Sequence, residues 1–291
     1  MTYVRMLLAL SVVAVSVAGV TACHRASTPR APASGVSLAA KSGMVPVDDV
    51  QIHYEIHGDG APLILLHGGL GHAGSWDKQI PALSTSYRVI AIDSRGHGRS
   101  TYSEQQITYA LMASDVIAVM GALEIRKAHV LGWSDGANTG LDLAINHPER
   151  VNTVVAFGGN ADPSGLRADF VEHATVQRYI ESASADYLRL SPNPEQWDAF
   201  LANVERMWST EPNFTKDQLG SIIVPILILD GDHDEAVYTA HTRTMAGSIP
   251  TSTLTLMSGT GHFAHWEQPE EFNEIVLGFL EGISDTGSPH R

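Results

Sequence analysis

One cysteine in 291 residues leaves no partner for an intramolecular disulfide, so this chain is not held together by covalent staples. Positive charge is also scarce: 18 Lys and Arg stand against 32 Asp and Glu, a formal net charge of -14. The chain has no basic run of the kind that neutralises phosphates, which excludes nucleic acid as an expected partner. Metal-ligand spacing of the H-E-x-x-H type is missing, and no G-x-G-x-x-G opens the first strand-helix unit, so neither metal nor organic cofactor is expected. Repeats of solenoid period are lacking as well. Hydrophobic residues make up 44% of the chain, enough to bury the core of one globular domain.

The longest apolar stretch, from Met6 to Val20, falls short of the roughly 20 residues that span a bilayer. It follows Arg5 and precedes small residues, the pattern of a signal peptide over residues 1–22. Val20-Thr21-Ala22-Cys23 resembles the lipobox of bacterial lipoproteins, which implies cleavage before Cys23 and a lipid on its thiol. Ordinary cleavage after Ala22 and a retained anchor are the alternatives. The expectation is an exported protein touching the membrane only through that lipid, on the periplasmic or outer-membrane face, or else a periplasmic or secreted one. Residues 23–43, rich in Ser, Ala, Pro and Gly, read as a flexible tether, and residues 44–291 as the folded domain.

From Val45 onward short apolar runs alternate with helical stretches, which predicts an α/β fold with a mostly parallel sheet covered on both faces. The runs are Leu63–Leu66, Val89–Ile92, His129–Leu131, Val151–Phe157, Ile226–Leu229 and Leu254–Met257, with an antiparallel hairpin of Val45–Val47 and Gln51–His57 in front. The alternation breaks at about residues 160–220. Two amphipathic helices are expected there, around Phe170–Tyr187 and Glu195–Trp208, forming a lid over the carboxyl ends of the strands. Tyr179, Tyr187, Trp197, Phe200 and Trp208 are candidates to line a pocket beneath it or to pack its helices together.

Gly132-Trp133-Ser134-Asp135-Gly136 lies directly between an apolar strand and a helical stretch, the context that a G-x-S-x-G nucleophile elbow requires. Ser134 needs a base to take its proton, and that base needs a carboxylate to orient it. Downstream, Asp230-Gly231-Asp232-His233-Asp234 and Gly261-His262 each follow a strand. Asp234 and His262 are the chosen partners; Asp232 and His265 are the alternatives. Backbone N–H groups of Gly69, in His67-Gly68-Gly69-Leu70-Gly71, and of Asp135 are the expected oxyanion donors. Trp76, Trp133, Phe157, Phe263 and Trp266 suggest an apolar pocket near the serine.

Taken together, His67-Gly68-Gly69, Asp93 through Ser100, the elbow, Gly231 with Asp234, and Gly261-His262 resemble the motif series of the α/β-hydrolase superfamily across residues 45–281. The elbow and Gly159-Asn160-Ala161 resemble its valacyclovirase-like branch, serine esterases acting on amino-acid esters. The resemblance implies an eight-stranded sheet and cleavage of carboxylic esters of small molecules through an acyl-enzyme, by a monomer or homodimer. It also implies that Asp135 holds a substrate ammonium, with Trp133, Asn160 and Phe263 around the substrate. Hydrolysis of a lactone, amide or carbon-carbon bond, or ligand binding without turnover, is the alternative.

Overall fold

The computed structural model describes residues 41–286, and the leader, Cys23 and most of the expected tether lie outside them. Eight strands form one sheet in the order β1-β2-β4-β3-β5-β6-β7-β8. They are β1 Lys41–Val47, β2 Val50–His57, β3 Ala61–Leu66, β4 Tyr87–Ile92, β5 Ala128–Trp133, β6 Val151–Phe157, β7 Ile226–Gly231 and β8 Ser252–Met257. β1–β2 and β2–β4 pair antiparallel, and the remaining neighbours pair parallel. The first strand starts at Lys41, so residues 41–43 belong to the sheet and not to the tether. Lys41, Ser42 and Gly43 bring no apolar side chain to this edge strand, where ladder hydrogen bonds rather than apolar burial hold the backbone.

The strand runs are buried on both sides because helices cover both faces. Ile64, Leu66, Ile90, Val130, Val154 and Ile228 point into one layer; Leu63, Leu65, Val89, Leu131, Val155 and Leu229 point into the other, as a period of two dictates. The first layer is completed by α2 (Tyr109–Ala122), α3 (Asp135–Asn146), α6 (Lys216–Gly220) and α7 (Thr239–Ser248), the second by α1 (Ile80–Leu83), α8 (Ala264–Glu267) and α9 (Pro269–Thr286). Pro269 occupies the first position of α9, where its missing N–H costs nothing.

Between β6 and β7 stand α4 (Ala174–Leu190) and α5 (Trp197–Thr210), close to the expected spans and separated by Ser191-Pro192-Asn193-Pro194. A third core forms where they meet the start of α2: Tyr187 stacks on Phe200 at 5.0 Å, and Val204 and Met207 pack with Ile107 and Met112. Tyr187, Trp197 and Phe200 therefore pack the insert together. Only Tyr179 and Trp208 of the five aromatic candidates face the cavity beneath it.

Candidate active site

Ser134 stands between β5 and α3 with φ 54° and ψ -114°, a conformation that costs an L-residue strain and persists only where the surroundings enforce it. Both flanking glycines are sterically required. A Cβ on Gly132 would lie 2.1 Å from Gly136 O, and one on Gly136 would lie 2.0 Å from Leu66 O. The turn is fixed further by Ser134 N donating to Phe157 O at 2.7 Å, and Asn138 N to Ser134 O at 3.0 Å. The half-buried hydroxyl thus stands at the N-terminus of α3, above the sheet's carboxyl edge.

His262 and Asp234 meet there from loops 28 residues apart, with Nδ1 of the ring 2.7 Å from Asp234 Oδ2. The other Asp234 oxygen accepts the N–H groups of Ala236 and Val237, both at 2.6 Å. Burial opposes charge on both partners, yet their mutual charge and hydrogen bond outweigh it. The His262 ring is held above the ordinary histidine value and the Asp234 carboxyl below the usual carboxylate range. Behind Asp234, burial and then the Asp234 charge keep the Asp230 carboxyl protonated far above that range. Two further carboxylates pin the histidine loop: Glu235 accepts the His262 N–H at 2.8 Å and Glu267 accepts the Gly261 N–H at 2.9 Å. Among the described residues no hydrogen bond joins the Ser134 hydroxyl to His262. Both side chains face one small cavity of about 50 Å³, which Gly69, Asp135, Trp133 and Phe263 also line.

The alternatives to this pair lie elsewhere. Asp232 is bound to its exposed neighbour His233 and to Gly259 N, on the outside of the loop. His265 is fully buried, with both ring nitrogens unpaired, in an aromatic cluster where its centroid lies 4.5 Å from that of Trp133. Burial drives its ring well below the ordinary histidine value, so it stays neutral. Trp76 and Phe157, two of the expected pocket aromatics, are fully buried in the core behind it. Trp133 and Phe263 line the cavity as expected, and Trp266 lines its neighbour.

Asp135 presents its carboxylate to the same cavity, 4% exposed. Its partners are neutral: Tyr109 Oη donates at 2.8 Å, and Trp208 Nε1 donates to the two oxygens at 3.0 and 2.9 Å. Burial is the larger effect, and it lifts the acid to about 6 in spite of those donors. Tyr109 and the Trp208 contact had no motif to announce them. Asn160 also lines the cavity, but its side chain accepts from Asn138 and donates to Asp162 O, both at 2.8 Å.

The glycine loop after β3 is held from both sides. Tyr179 Oη donates to Gly69 O at 2.7 Å, while a Cβ on Gly69 would lie 2.5 Å from both Asp135 Oδ2 and the Trp208 ring. His67 anchors its start by donating from Nδ1 to Gly68 O at 2.8 Å and accepting Ser94 N at Nε2. Burial lowers its ring to about 4, consistent with a neutral, structural tautomer. Asp93 through Ser100 forms a turn in which Asp93 accepts the N–H groups of Ala73 and Arg99.

Comparison with known proteins supplies a family. The model of the alpha/beta hydrolase family matches residues 63–275. RutD of Caulobacter sp. (strain K31), named for carbamate hydrolysis, is 30% identical over 262 residues, covering 79% of this chain and 96% of its own length. The serine hydrolase BPHL of Homo sapiens is 28% identical over 268 residues, covering 87% and 91% respectively. Among solved structures, Est816, an N-acyl homoserine lactone degrading enzyme, is similar with a TM-score of 0.66 and 29% identity, over 81% of this chain and all of its own.

Proposed function

Because this chain belongs to the alpha/beta hydrolase family and is a hydrolase, we propose that it cleaves carboxylic esters of small molecules with Ser134 as nucleophile, His262 as base and Asp234 as the carboxylate that orients it. The observation that carries the reading is the 2.7 Å contact of Asp234 with His262 beside a strained Ser134 in one cavity. With Nδ1 engaged by Asp234, Nε2 is the ring nitrogen left for the serine proton. Ser134 Oγ attacks the ester carbonyl carbon as its proton passes to His262, and the oxyanion faces the N–H groups of Gly69 and Asp135. Breaking the ester C–O bond returns that proton to the departing alcohol. Water then gives a proton to His262 and its oxygen to the acyl carbon; the bond from that carbon to Ser134 Oγ breaks, Oγ takes the proton back from His262, and the acid departs.

The buried Asp135 carboxylate supports a substrate carrying an ammonium group. It has only neutral donors, and a cation entering the cavity would offset the cost of its charge. An amino-acid ester fits that requirement. A lactone reading, favoured by the likeness to Est816, shares the acyl chemistry but leaves Asp135 without a cation. Ser134→Ala should abolish p-nitrophenyl ester turnover with the fold intact; retained turnover rules the reading out. Failure of a fluorophosphonate to label the wild-type chain would favour ligand binding without turnover. We also infer export and lipid anchoring at Cys23, from the leader and the lipobox-like Val20–Cys23 alone.

A further inference from the structure

The cavity at Ser134, about 50 Å³, holds little more than a short acyl group. Beyond it lies a second cavity of about 580 Å³, within the range of sites that take whole ligands. The two share only Tyr179 and Phe263 as wall residues. Phe263 is fixed beside the histidine, stacked on Trp266 at 5.6 Å. Tyr179 comes from α4, and its ring is packed by neighbours on three sides: Trp133 at 5.5 Å, Phe263 at 5.2 Å and Trp266 at 6.0 Å. Its hydroxyl is tied to Gly69 O.

The geometry points to Tyr179 as a specificity-determining wall, whose ring limits the Ser134 pocket to short groups by closing off the larger cavity. The outer cavity is lined by the apolar Leu70, Ala183 and Trp266 and by charged side chains of both signs, among them Lys78, Arg178 and Asp186. A group that passed the ring would therefore be an alkyl chain of several carbons with a polar end, not a second small acyl group. Removing the ring joins the two volumes. Removing only the hydroxyl leaves the wall in place and frees the Gly69 carbonyl, so the two changes separate substrate length from oxyanion-loop positioning.

This inference rests on the ester-hydrolase reading for its kinetic test and on the cavities alone for its binding test. The kinetic test measures kcat/KM for p-nitrophenyl acetate and p-nitrophenyl octanoate in wild type, Tyr179→Phe, Tyr179→Ala and, should that variant not fold, Tyr179→Leu. The octanoate-to-acetate ratio is expected to rise about 10- to 100-fold on loss of the ring. In Tyr179→Phe it stays within about twofold of wild type while kcat falls for both esters. A ratio unmoved by loss of the ring overturns the inference although ester turnover stands. The binding test uses octanamide and acetamide on Ser134→Ala, with and without Tyr179→Ala. Octanamide is expected to bind about tenfold or more tightly without the ring, acetamide equally in both. Equal octanamide affinities overturn the inference whatever bond the enzyme cleaves, and a wild type that turns over neither ester overturns only the ester reading.

Discussion

Trp208 reaches from α5 to place its indole N–H between the two oxygens of Asp135, at 3.0 and 2.9 Å. The insert therefore touches the elbow through the residue next to the nucleophile, and the carboxylate it holds is buried with no cationic neighbour bonded to it. This juxtaposition leaves a buried acid without a bonded countercharge on the wall of the Ser134 cavity, the feature on which the proposed ammonium recognition rests.

Asp135→Asn should reduce kcat/KM for an amino-acid ester by about 10- to 100-fold relative to a simple acetyl ester, because only the former loses a charge partner. Comparable losses on both esters would contradict the ammonium-binding role.

The pH dependence of that preference follows from the acid at about 6. Below that pH Asp135 is protonated and cannot pair with an ammonium, so the ratio of kcat/KM for amino-acid over acetyl ester should fall as pH drops through about 6. Any His262 limb cancels in the ratio.

The same burial has a stability consequence. Because the folded acid titrates at about 6 and its ordinary value is 3.8, the fold's preference for the protonated acid is fully present below about 3.8, is lost as pH rises from there through about 6, and the cost of ionisation is complete above that. Asp135→Asn should therefore raise Tm at pH 8 by roughly 2–6 °C, corresponding to about 1–2 kcal/mol, and by less at pH 5. Thermal unfolding at the two pH values checks the sign.

His262 must be neutral to accept the serine proton, and its ring is held above 6.5 despite burial, by Asp234. Turnover of p-nitrophenyl acetate should rise with pH through a limb above 6.5. In Asp234→Asn the burial effect remains without the countercharge, so the limb should move below 6.5 while kcat falls by about 10⁴-fold.

Glu235 acts through the backbone of His262. Glu235→Ala removes the acceptor for its N–H and should lower kcat about tenfold with little change in KM, whereas Glu235→Gln, which keeps an acceptor, should restore most of the rate. An equal loss in both variants would contradict a positioning role.

Much of this architecture is legible in the sequence because burial and strain leave strong marks. The run Val151–Phe157 coincides with β6 to the residue, since both its faces are covered. The elbow is readable because Gly132 and Gly136 tolerate no Cβ. Strand residues Lys41, Ser42 and Gly43 include no apolar side chain and α7, TAHTRTMAGS, has no continuous apolar stripe, so neither announces itself. Tyr109 and Glu235 escape notice for another reason: one meets Asp135 from 26 residues away and the other meets a backbone N–H, and neither contact leaves a local pattern.

The most direct measurement is the intact mass and peptide map of the protein after reaction with a fluorophosphonate. The account predicts one adduct, on the peptide carrying Ser134, lost in Ser134→Ala and strongly slowed in His262→Ala. An adduct on another residue, or labelling at Ser134 that proceeds equally fast without His262, would contradict it.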